Sequence, residues 1–314
     1  WSPFCYLLPM SITIAALYKF ARWPTFKQHE SRIRQVCIHN EVKGTLLLAS
    51  EGINGTIAGP KYGVHNVLHN IRTEYDGIFH DMPHKESSSD FQPFEKLKVR
   101  LKKEIVALGA EVDVSSRTGH FVPPEEWNSL IQDPDVLLID TRNDYEIKIG
   151  AFPGAVNPNT ANFRDFPQYV TDNQQLLKSK KKIAMYCTGG IRCEKASAYM
   201  MENGYNEVYQ LEGGILKYLE SIPAQQNIWQ GECFVFDNRI SVDENISQGQ
   251  HLLCRGCGGP LSRHEIKSPM FEEGVSCPSC YGTKTSVQVE SLRSRHQHRL
   301  ATKRRVVSDE DVPH

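Results

Sequence analysis

Long apolar runs are missing from this sequence of 314 residues. No stretch approaches the roughly 20 apolar residues that a membrane-spanning helix needs, so a membrane partner is not expected. Residues 1–17 are apolar, but no basic region precedes them, which argues against a secretory signal. Met10 is the expected natural start. These absences exclude the commonest membrane proteins and favour a chain that stays in the cytoplasm.

Sequence motifs for the common redox cofactors are also missing. No G-x-G-x-x-G fingerprint occurs, so neither a flavin nor an NAD site of the Rossmann type is predicted. A convincing set of two histidines and one carboxylate for a redox iron is absent as well. The stretch His84-Lys-Glu86 has suitable ligand types, but it lies in a Ser-rich segment, His84–Asp90, that we interpret as a flexible loop. The residues alone therefore indicate no redox cofactor.

Cysteine, in contrast, occurs nine times, and its spacing is informative. An odd number, with four cysteines in two C-x-x-C pairs, argues against a full disulfide framework and favours a reducing compartment. The two pairs are 19 residues apart, close to the spacing of a four-thiolate zinc ribbon. A structural zinc ion is therefore predicted, with two metal-free pairs as the alternative. Its ligands would be Cys254, Cys257, Cys277 and Cys280.

Hydrophobic periodicity predicts an α/β multidomain protein. Residues 10–110 show the order strand, helix, strand, strand, helix, strand of a ferredoxin-like (acylphosphatase-like) α+β domain, closed by strand material in residues 94–108. Residues 120–225 alternate apolar strands with helices, which is typical of α/β domains. Residues 230–290 contain the cysteine pairs and form a small zinc-ribbon-like region. The basic tail, residues 293–314, has no core-forming pattern, so disorder is predicted there.

One stretch of the first domain alternates basic with apolar residues. In a strand the basic side chains would share one face, and we name this set the cationic strip. Its members are Lys96, Lys98, Arg100 and Lys102. Phosphate binding needs such a cluster, but exposed lysines on an edge strand also discourage aggregation. Nucleic-acid contact and simple solvation are therefore both open interpretations.

The strongest chemical signal is a cysteine, Cys187, that ends an apolar strand and is followed by a Gly-rich loop. The loop residues are Thr188, Gly189, Gly190, Ile191 and Arg192. Glycines allow successive backbone N–H groups to turn inward, the next helix adds its positive N-terminal end, and Arg192 adds a charge. Such surroundings favour the thiolate, which is the nucleophilic form of cysteine. Cys187 is therefore the predicted catalytic residue.

Four residues near this loop are candidates for supporting roles. Asp140 and Arg142 end the preceding predicted strand, where a structural ion pair is favoured over a catalytic role. Cys193 could resolve an oxidised Cys187 as a disulfide, although a small buried residue is favoured in the first helical turn. Lys195 is open to the same two kinds of role.

The size of the loop carries a first resemblance. From Cys187 to Arg192 it has six residues and resembles the active-site loop of rhodanese sulfurtransferases, whereas the related phosphatase loops are one residue longer. Further segments resemble a rhodanese domain over residues 120–225. They are Leu138–Glu146, Ile149–Asn157 and Leu211–Ile215.

A more specific resemblance covers about residues 10–290. Ala16–Phe20, Gly44–Gly59, Asp140–Glu146, Cys187–Lys195 and Gly231–Asp237 together resemble the rhodanese-domain tRNA uridine hydroxylases. The resemblance implies that the wobble uridine of the tRNA anticodon stem-loop is converted to 5-hydroxyuridine. It also implies molecular oxygen as co-substrate and Cys187 as the essential residue. A sulfurtransferase that works through a Cys187 persulfide, or a non-catalytic binding module, is the alternative.

Overall fold

The computed structural model describes residues 11–310, with side chains described for residues 11–301. The expected start at Met10 and the last four residues of the basic tail lie outside this range. The chain divides into two compact units, with the boundary between Gln248 and Gly249. Among the described residues no helix is both long and apolar enough to cross a bilayer.

The first unit begins with a five-stranded sheet that packs against two helices. The elements are β1 Ile12–Phe20, α1 Phe26–His39, β2 Lys43–Ala49, β3 Gly52–Gly59, α2 Lys61–Thr73, β4 His84–Ser89 and β5 Leu97–Leu101. The strand order is β4-β1-β3-β2-β5; β2 and β5 are parallel and the other pairs are antiparallel. Leu46 and Leu48 point from β2 into a core shared with Val64 and Leu68 of α2. The predicted ferredoxin-like fold class is confirmed.

Two strands of this sheet differ from the sequence prediction. The segment interpreted as a flexible loop forms β4, in which Lys85 lies opposite Ala16 of β1. β4 is therefore the last strand of the predicted strand-helix-strand-strand-helix-strand order, a place that the sequence analysis assigned to residues 94–108. Within residues 94–108 the extended part is β5, which adds an edge strand beside β2. Serine and charged residues have low strand propensity, but pairing with β1 overrides that preference here.

A parallel sheet with helices on both faces follows. Its elements are β6 His120–Val122, α3 Pro124–Ile131, β7 Val136–Asp140, α4 Asp144–Ile147, β8 Gly150–Ala151, α5 Phe166–Asp172, α6 Gln174–Leu177, β9 Lys182–Tyr186, α7 Ile191–Glu202, β10 Val208–Leu211 and α8 Gly214–Ser221. The sheet order is β6-β10-β9-β7. In β9, Ile183 and Met185 face one hydrophobic cluster, and Ala184 and Tyr186 face another. This strand is buried on both faces, as its continuous apolar run predicts.

The chain after α8 completes the first unit. It contains β11 Gln230–Gly231, β12 Cys233–Phe234 and β13 Ser241–Val242. β11 pairs with β8, and β12 pairs with β13. Cys233 and Val242 are fully buried and share a hydrophobic cluster with Trp229. Residues up to Gln248 therefore group with the α/β domain and not with the cysteine pairs, in contrast to the predicted region 230–290.

The second unit has little regular structure apart from one long helix. Its elements are β14 Leu252–Leu253, β15 Pro260–Leu261 and α9 Ser286–Glu310. The sequence predicts a disordered tail from residue 293, whereas the described chain continues as α9 to Glu310. Neither Gly nor Pro occurs within α9, so no helix-breaking residue ends it earlier.

Candidate active site

Cys187 lies where β9 ends and the chain turns into α7. Gly190 has a φ of 102°, which favours glycine, and a Cβ at this position would come within 2.9 Å of the Tyr18 hydroxyl. The Gly190 N–H donates a hydrogen bond of 3.1 Å to Sγ of Cys187. At the start of α8, two amides donate hydrogen bonds to the carbonyl groups of Cys187 and Thr188. The loop therefore holds the sulfur at the carboxyl end of a parallel strand, where α/β folds bind ligands.

The surroundings of Cys187 favour its thiolate. Burial raises the pKa of this thiol, but hydrogen bonds from Cys193, the charge of Arg192 and the Gly190 N–H together lower the pKa to about 5. The pKa of Cys193 is instead raised far above its usual value, because burial and the nearby Cys187 sulfur both oppose ionisation. Cys193 is thus a buried thiol that stays protonated near the Cys187 thiolate, and Thr141 Oγ1 lies 3.3 Å from its sulfur.

Alkylation of Cys187 should show this low pKa directly. The rate with iodoacetamide should rise with pH, reach half its maximum at about pH 5 and level off by neutral pH, because only the thiolate reacts. Mass spectrometry that resolves the individual cysteines would measure the rate for Cys187 alone. A midpoint at about 8.5, the value of an ordinary cysteine, would contradict the ionised state that this loop geometry predicts.

Arg192 is engaged with a residue that the sequence analysis did not single out. Its guanidinium donates two hydrogen bonds to the carboxylate of Glu146, at 2.6 and 2.8 Å. Glu146 lies on α4 and is fully buried, and its pKa is lowered: burial raises it, but Arg192 and Arg142 lower it by more. The Thr188 hydroxyl joins the same network. Arg192 is therefore paired with Glu146 inside the protein, where it positions the loop and also lowers the pKa of Cys187.

Asp140 and Arg142 form a second buried ion pair. The Arg142 Nη2 lies 2.6 Å from Asp140 Oδ2, and both side chains are fully buried. Arg142 also donates to the Gly150 carbonyl at 2.6 Å, and its guanidinium lies 5.1 Å from the centre of the Trp229 ring. These contacts connect the end of β7 to β8, which is consistent with a structural role for the Asp140–Arg142 ion pair.

Lys195 connects α7 to the first domain. Its ammonium group is buried, and it lies 2.9 Å from Glu51 and 2.7 Å from Glu104. Glu51 follows β2, in the turn to β3, and its carboxylate also accepts a hydrogen bond from the Ile105 N–H. The helix that follows the Cys187 loop is thereby fixed to the sheet of the first domain.

Replacing Lys195 by methionine should destabilise the first unit. The loss should be about 3 kcal/mol, because two carboxylates that are mostly buried lose their shared cation. Lys182→Met is the matched control, because Lys182 and Asp133 are each about one third exposed and such pairs contribute about 1 kcal/mol or less. Urea unfolding followed by tryptophan fluorescence would compare the two. Equal losses would contradict a special role for Lys195.

The first domain also places side chains beside the Cys187 loop. The Tyr18 hydroxyl donates a 3.0 Å hydrogen bond to the Glu194 carboxylate. Burial is the main cause that raises the pKa of both groups, and the Cys187 charge adds to it. Lys85 of β4 lines the same space. Tyr18 lies in a string that carried the family resemblance, whereas Lys85 lay in the segment interpreted as a loop.

A cleft of about 1650 Å³, here named the Cys187 cleft, contains these groups. Phe236 lines it and is 61% exposed, with the Arg192 guanidinium 5.9 Å from its ring centre. Cations and carboxylates both occur in the lining. Some cations are paired, as Lys19 is with Asp81. The further cations include Lys27, Lys102, Lys103 and Arg164.

The cationic strip lies on and beside the edge strand β5. Lys96, Arg100 and Lys102 are exposed and Lys98 is half-buried, while Val99 between them packs into the core. Of the four, Lys102 also lines the Cys187 cleft. Val99 therefore follows the predicted alternation, whereas Leu101 is exposed like its basic neighbours, and one end of the strip reaches the cleft.

The four cysteines of the second unit come together. Their Sγ atoms all lie within 4.8 Å of one another, and three of the pairs are separated by 3.6 to 3.8 Å. A zinc ion with bonds of about 2.3 Å to four sulfurs requires sulfur–sulfur distances of about 3.8 Å. The Cys277 N–H also donates a hydrogen bond of 3.3 Å to the Cys280 sulfur. The donor set therefore fits a tetrahedral metal ion and leaves no open coordination position.

Comparisons with known proteins agree with this architecture. A UPF0176 acylphosphatase-like domain matches residues 12–105, and a rhodanese-like domain matches residues 123–221. A tRNA uridine(34) hydroxylase of Agrobacterium fabrum is 53% identical over 285 residues, which cover 90% of each chain. The chain belongs to the tRNA uridine(34) hydroxylase family. Another family member, from Rhizobium leguminosarum, is 52% identical over 93% of this chain and 94% of its own. The resemblance identified from the sequence is confirmed.

Proposed function

We propose that this protein hydroxylates C5 of uridine 34, the wobble position of the tRNA anticodon, with Cys187 as the catalytic nucleophile. Similarity over almost the whole length to proteins named tRNA uridine(34) hydroxylase is the observation that carries the proposal. The geometry agrees with it, because a thiolate lies in a cleft of about 1650 Å³, larger than the roughly 300–1000 Å³ of small-ligand pockets. A segment of RNA is a substrate of suitable size.

The chemistry begins at C6 of the uracil, which is electrophilic because it is conjugated with the C4 carbonyl. Addition of the Cys187 sulfur at C6 removes the C5–C6 double bond and makes C5 electron-rich. Molecular oxygen is the proposed co-substrate. One oxygen atom replaces the C5 hydrogen as a hydroxyl group, and the other leaves as water after two electrons and two protons arrive from a reductant. Loss of the thiolate then restores the double bond.

The anticodon loop suits this site because its bases are unpaired and can be turned outward. The exposed ring of Phe236 offers a face on which a nucleobase can stack beside the cleft. Lys102 belongs to both the cleft and the cationic strip, so we propose that the strip extends the tRNA-binding surface. The proposed location is the cytoplasm, where reduced thiols are maintained.

Reversing charge in the cleft should weaken tRNA binding without changing the chemical step. The variant Lys102→Glu/Lys103→Glu/Arg164→Glu should raise KM at least about tenfold at physiological salt and leave kcat nearly unchanged. The control variant carries the same charge change at Lys178, Lys180 and Lys181, which lie at the opposite end of β9 from Cys187. Steady-state kinetics with an unmodified transcript would distinguish the two. An equal effect of both variants would contradict a binding surface at the cleft.

Nucleoside analysis tests the function itself. Transfer RNA from cells that lack the protein should lack 5-hydroxyuridine and its derivatives, and the wild-type gene should restore them. With purified protein and a labelled atmosphere, the new hydroxyl group should carry ¹⁸O from dioxygen. The six-residue loop also favours a second candidate, sulfur transfer through a Cys187 persulfide. Thiocyanate formation from thiosulfate and cyanide, with unchanged tRNA nucleosides, would replace the hydroxylase proposal by that one.

We also propose that Cys254, Cys257, Cys277 and Cys280 hold a structural zinc ion. A closed shell of four thiolates would supply no Lewis acid to a substrate, so its role would be to stabilise the second unit.

A further inference from the structure

The ammonium group of Lys85 is buried and has no hydrogen-bonding partner among the described residues. A buried polar group without a partner costs free energy, and a buried charge costs more. Most buried lysines avoid this cost with a carboxylate, as Lys195 does with Glu51 and Glu104. The position of Lys85 in the Cys187 cleft suggests that its partner arrives with the substrate.

The backbone around Lys85 belongs to the Cys187 loop and to the chain that supports it. A Cβ on Gly213 would lie 2.6 Å from the Lys85 nitrogen, so the amine rests directly against Gly213. Gly213 also lies against the Cys187 loop, because a Cβ added to Gly190 would be 3.6 Å from the Gly213 Cα. β4 thus reaches across from the first domain and places an amine beside the turn that holds the Cys187 sulfur.

The charged and titratable groups near Lys85 come from several elements. They include Cys187 at the end of β9, Lys217 and Glu220 of α8, and Cys233 of β12. Tyr18 of β1 and Glu194 of α7 line the same cleft. Burial, with the Lys217 charge adding to it, lowers the pKa of Lys85 to about 8, although Cys187 and Glu220 favour its charged form. Burial also raises the pKa of Cys233, to about 12, so this thiol stays neutral. At neutral pH the cleft therefore holds a cationic Lys85 near an anionic Cys187.

We propose that Lys85 is a catalytic residue whose ammonium group donates a hydrogen bond to O4 of the target uracil. This inference rests on the proposed function. When the Cys187 sulfur bonds to C6, the electron pair of the C5–C6 double bond moves toward C4, and the C4 carbonyl pair moves onto O4. The oxygen becomes an enolate with a full negative charge, and no proton is transferred. A hydrogen-bond donor fixed at this oxygen stabilises the charge most when it develops, as an oxyanion hole does.

The test compares wild type with Lys85→Met and with Lys43→Met, an exposed lysine of the same sheet that does not line the cleft. Lys85→Met should lower single-turnover formation of 5-hydroxyuridine in tRNA about 100-fold, and Lys43→Met should not. The wild-type rate should fall as the pH rises through about 8, because Lys85 loses its proton, and Lys85→Met should lack this fall. A stem-loop with 5-fluorouridine at position 34 should also form its Cys187 adduct more slowly with Lys85→Met.

Two further measurements separate catalysis from structure. Lys85→Met should melt at the same temperature as wild type or higher, because it removes an unpaired buried charge, and Cys187 should be alkylated at about the wild-type rate. Rates within about threefold of wild type in both RNA assays would overturn the role of Lys85, as would loss of alkylation together with activity. If wild type itself produced no 5-hydroxyuridine, the proposed function would fail first and this inference with it.

Discussion

Cys187→Ser should abolish formation of 5-hydroxyuridine, with a loss of at least about 1000-fold in the single-turnover rate. A serine hydroxyl is far less acidic than the Cys187 thiol, whose pKa is lowered to about 5, so the loop would hold a neutral alcohol and not an anion. The two side chains have similar size, and the Gly190 N–H still has an oxygen to donate to. The measurement is nucleoside analysis of tRNA after incubation with each purified protein.

Cys193→Ser gives the informative comparison. Serine keeps a donor toward the Cys187 sulfur, so the rate should stay within about tenfold of wild type if Cys193 acts by hydrogen bonding. If Cys193 instead resolved an oxidised Cys187 in each cycle, this variant would stop after one turnover. An undiminished rate for Cys187→Ser would end the case for covalent catalysis through this sulfur.

The Cys187 loop could be predicted because its signal is local. An apolar strand, glycines and a helix start follow one another within residues 183–195, and each has a direct backbone consequence. The groups that complete the site are distant in sequence. Glu146 lies 46 residues from Arg192, Glu51 lies 144 residues from Lys195, and Tyr18 lies 176 residues from Glu194. Contacts at such separations are created by the tertiary fold, so no local pattern shows them.

β4 shows why one of these groups was missed. Histidine, lysine and serine dominate its sequence, and residue preferences alone favour a loop. The segment becomes a strand because β1 offers free backbone hydrogen-bonding groups at the edge of the sheet. Once paired, β4 carries Lys85 into the Cys187 cleft. The same pairing that the sequence could not predict thus gives the first domain its part in the proposed chemistry.

The arrangement also explains why buried contacts connect the ferredoxin-like domain to the rhodanese-like domain. The rhodanese-like domain supplies the proposed nucleophile, Cys187, and the first domain supplies Tyr18 and Lys85 to the same cleft. Buried ion pairs from Lys195 hold the two at a fixed distance. A site built from both sides of a junction keeps its geometry only while the junction is rigid. Destabilising Lys195 should therefore affect activity as well as stability.

Removing metal from the second unit should unfold it. Its hydrophobic cluster consists of Leu261 and three of the four cysteine side chains, Cys254, Cys277 and Cys280, with Ile266 and Phe271 packed against them. So small a core cannot offset the loss of chain entropy, whereas a structural zinc ion contributes an apparent 10–16 kcal/mol or so in zinc-finger peptides. Purified protein should contain about one equivalent of zinc. After treatment with a strong chelator, or in Cys277→Ser, amide hydrogens of residues 250–285 should exchange at the rate of an unfolded chain.

His264→Ala is the matched control, because His264 is an exposed metal-binding residue type in the same unit but lies outside the group of four sulfurs. It should keep the zinc content and the slow exchange of wild type. The first unit has its own three large hydrophobic clusters, so its amide protection should survive the chelator in every variant. If zinc-free protein still showed slow amide exchange in the second unit, the zinc proposal would be wrong. The four cysteines would then stabilise this unit as thiols, and their close approach would not be due to a metal ion.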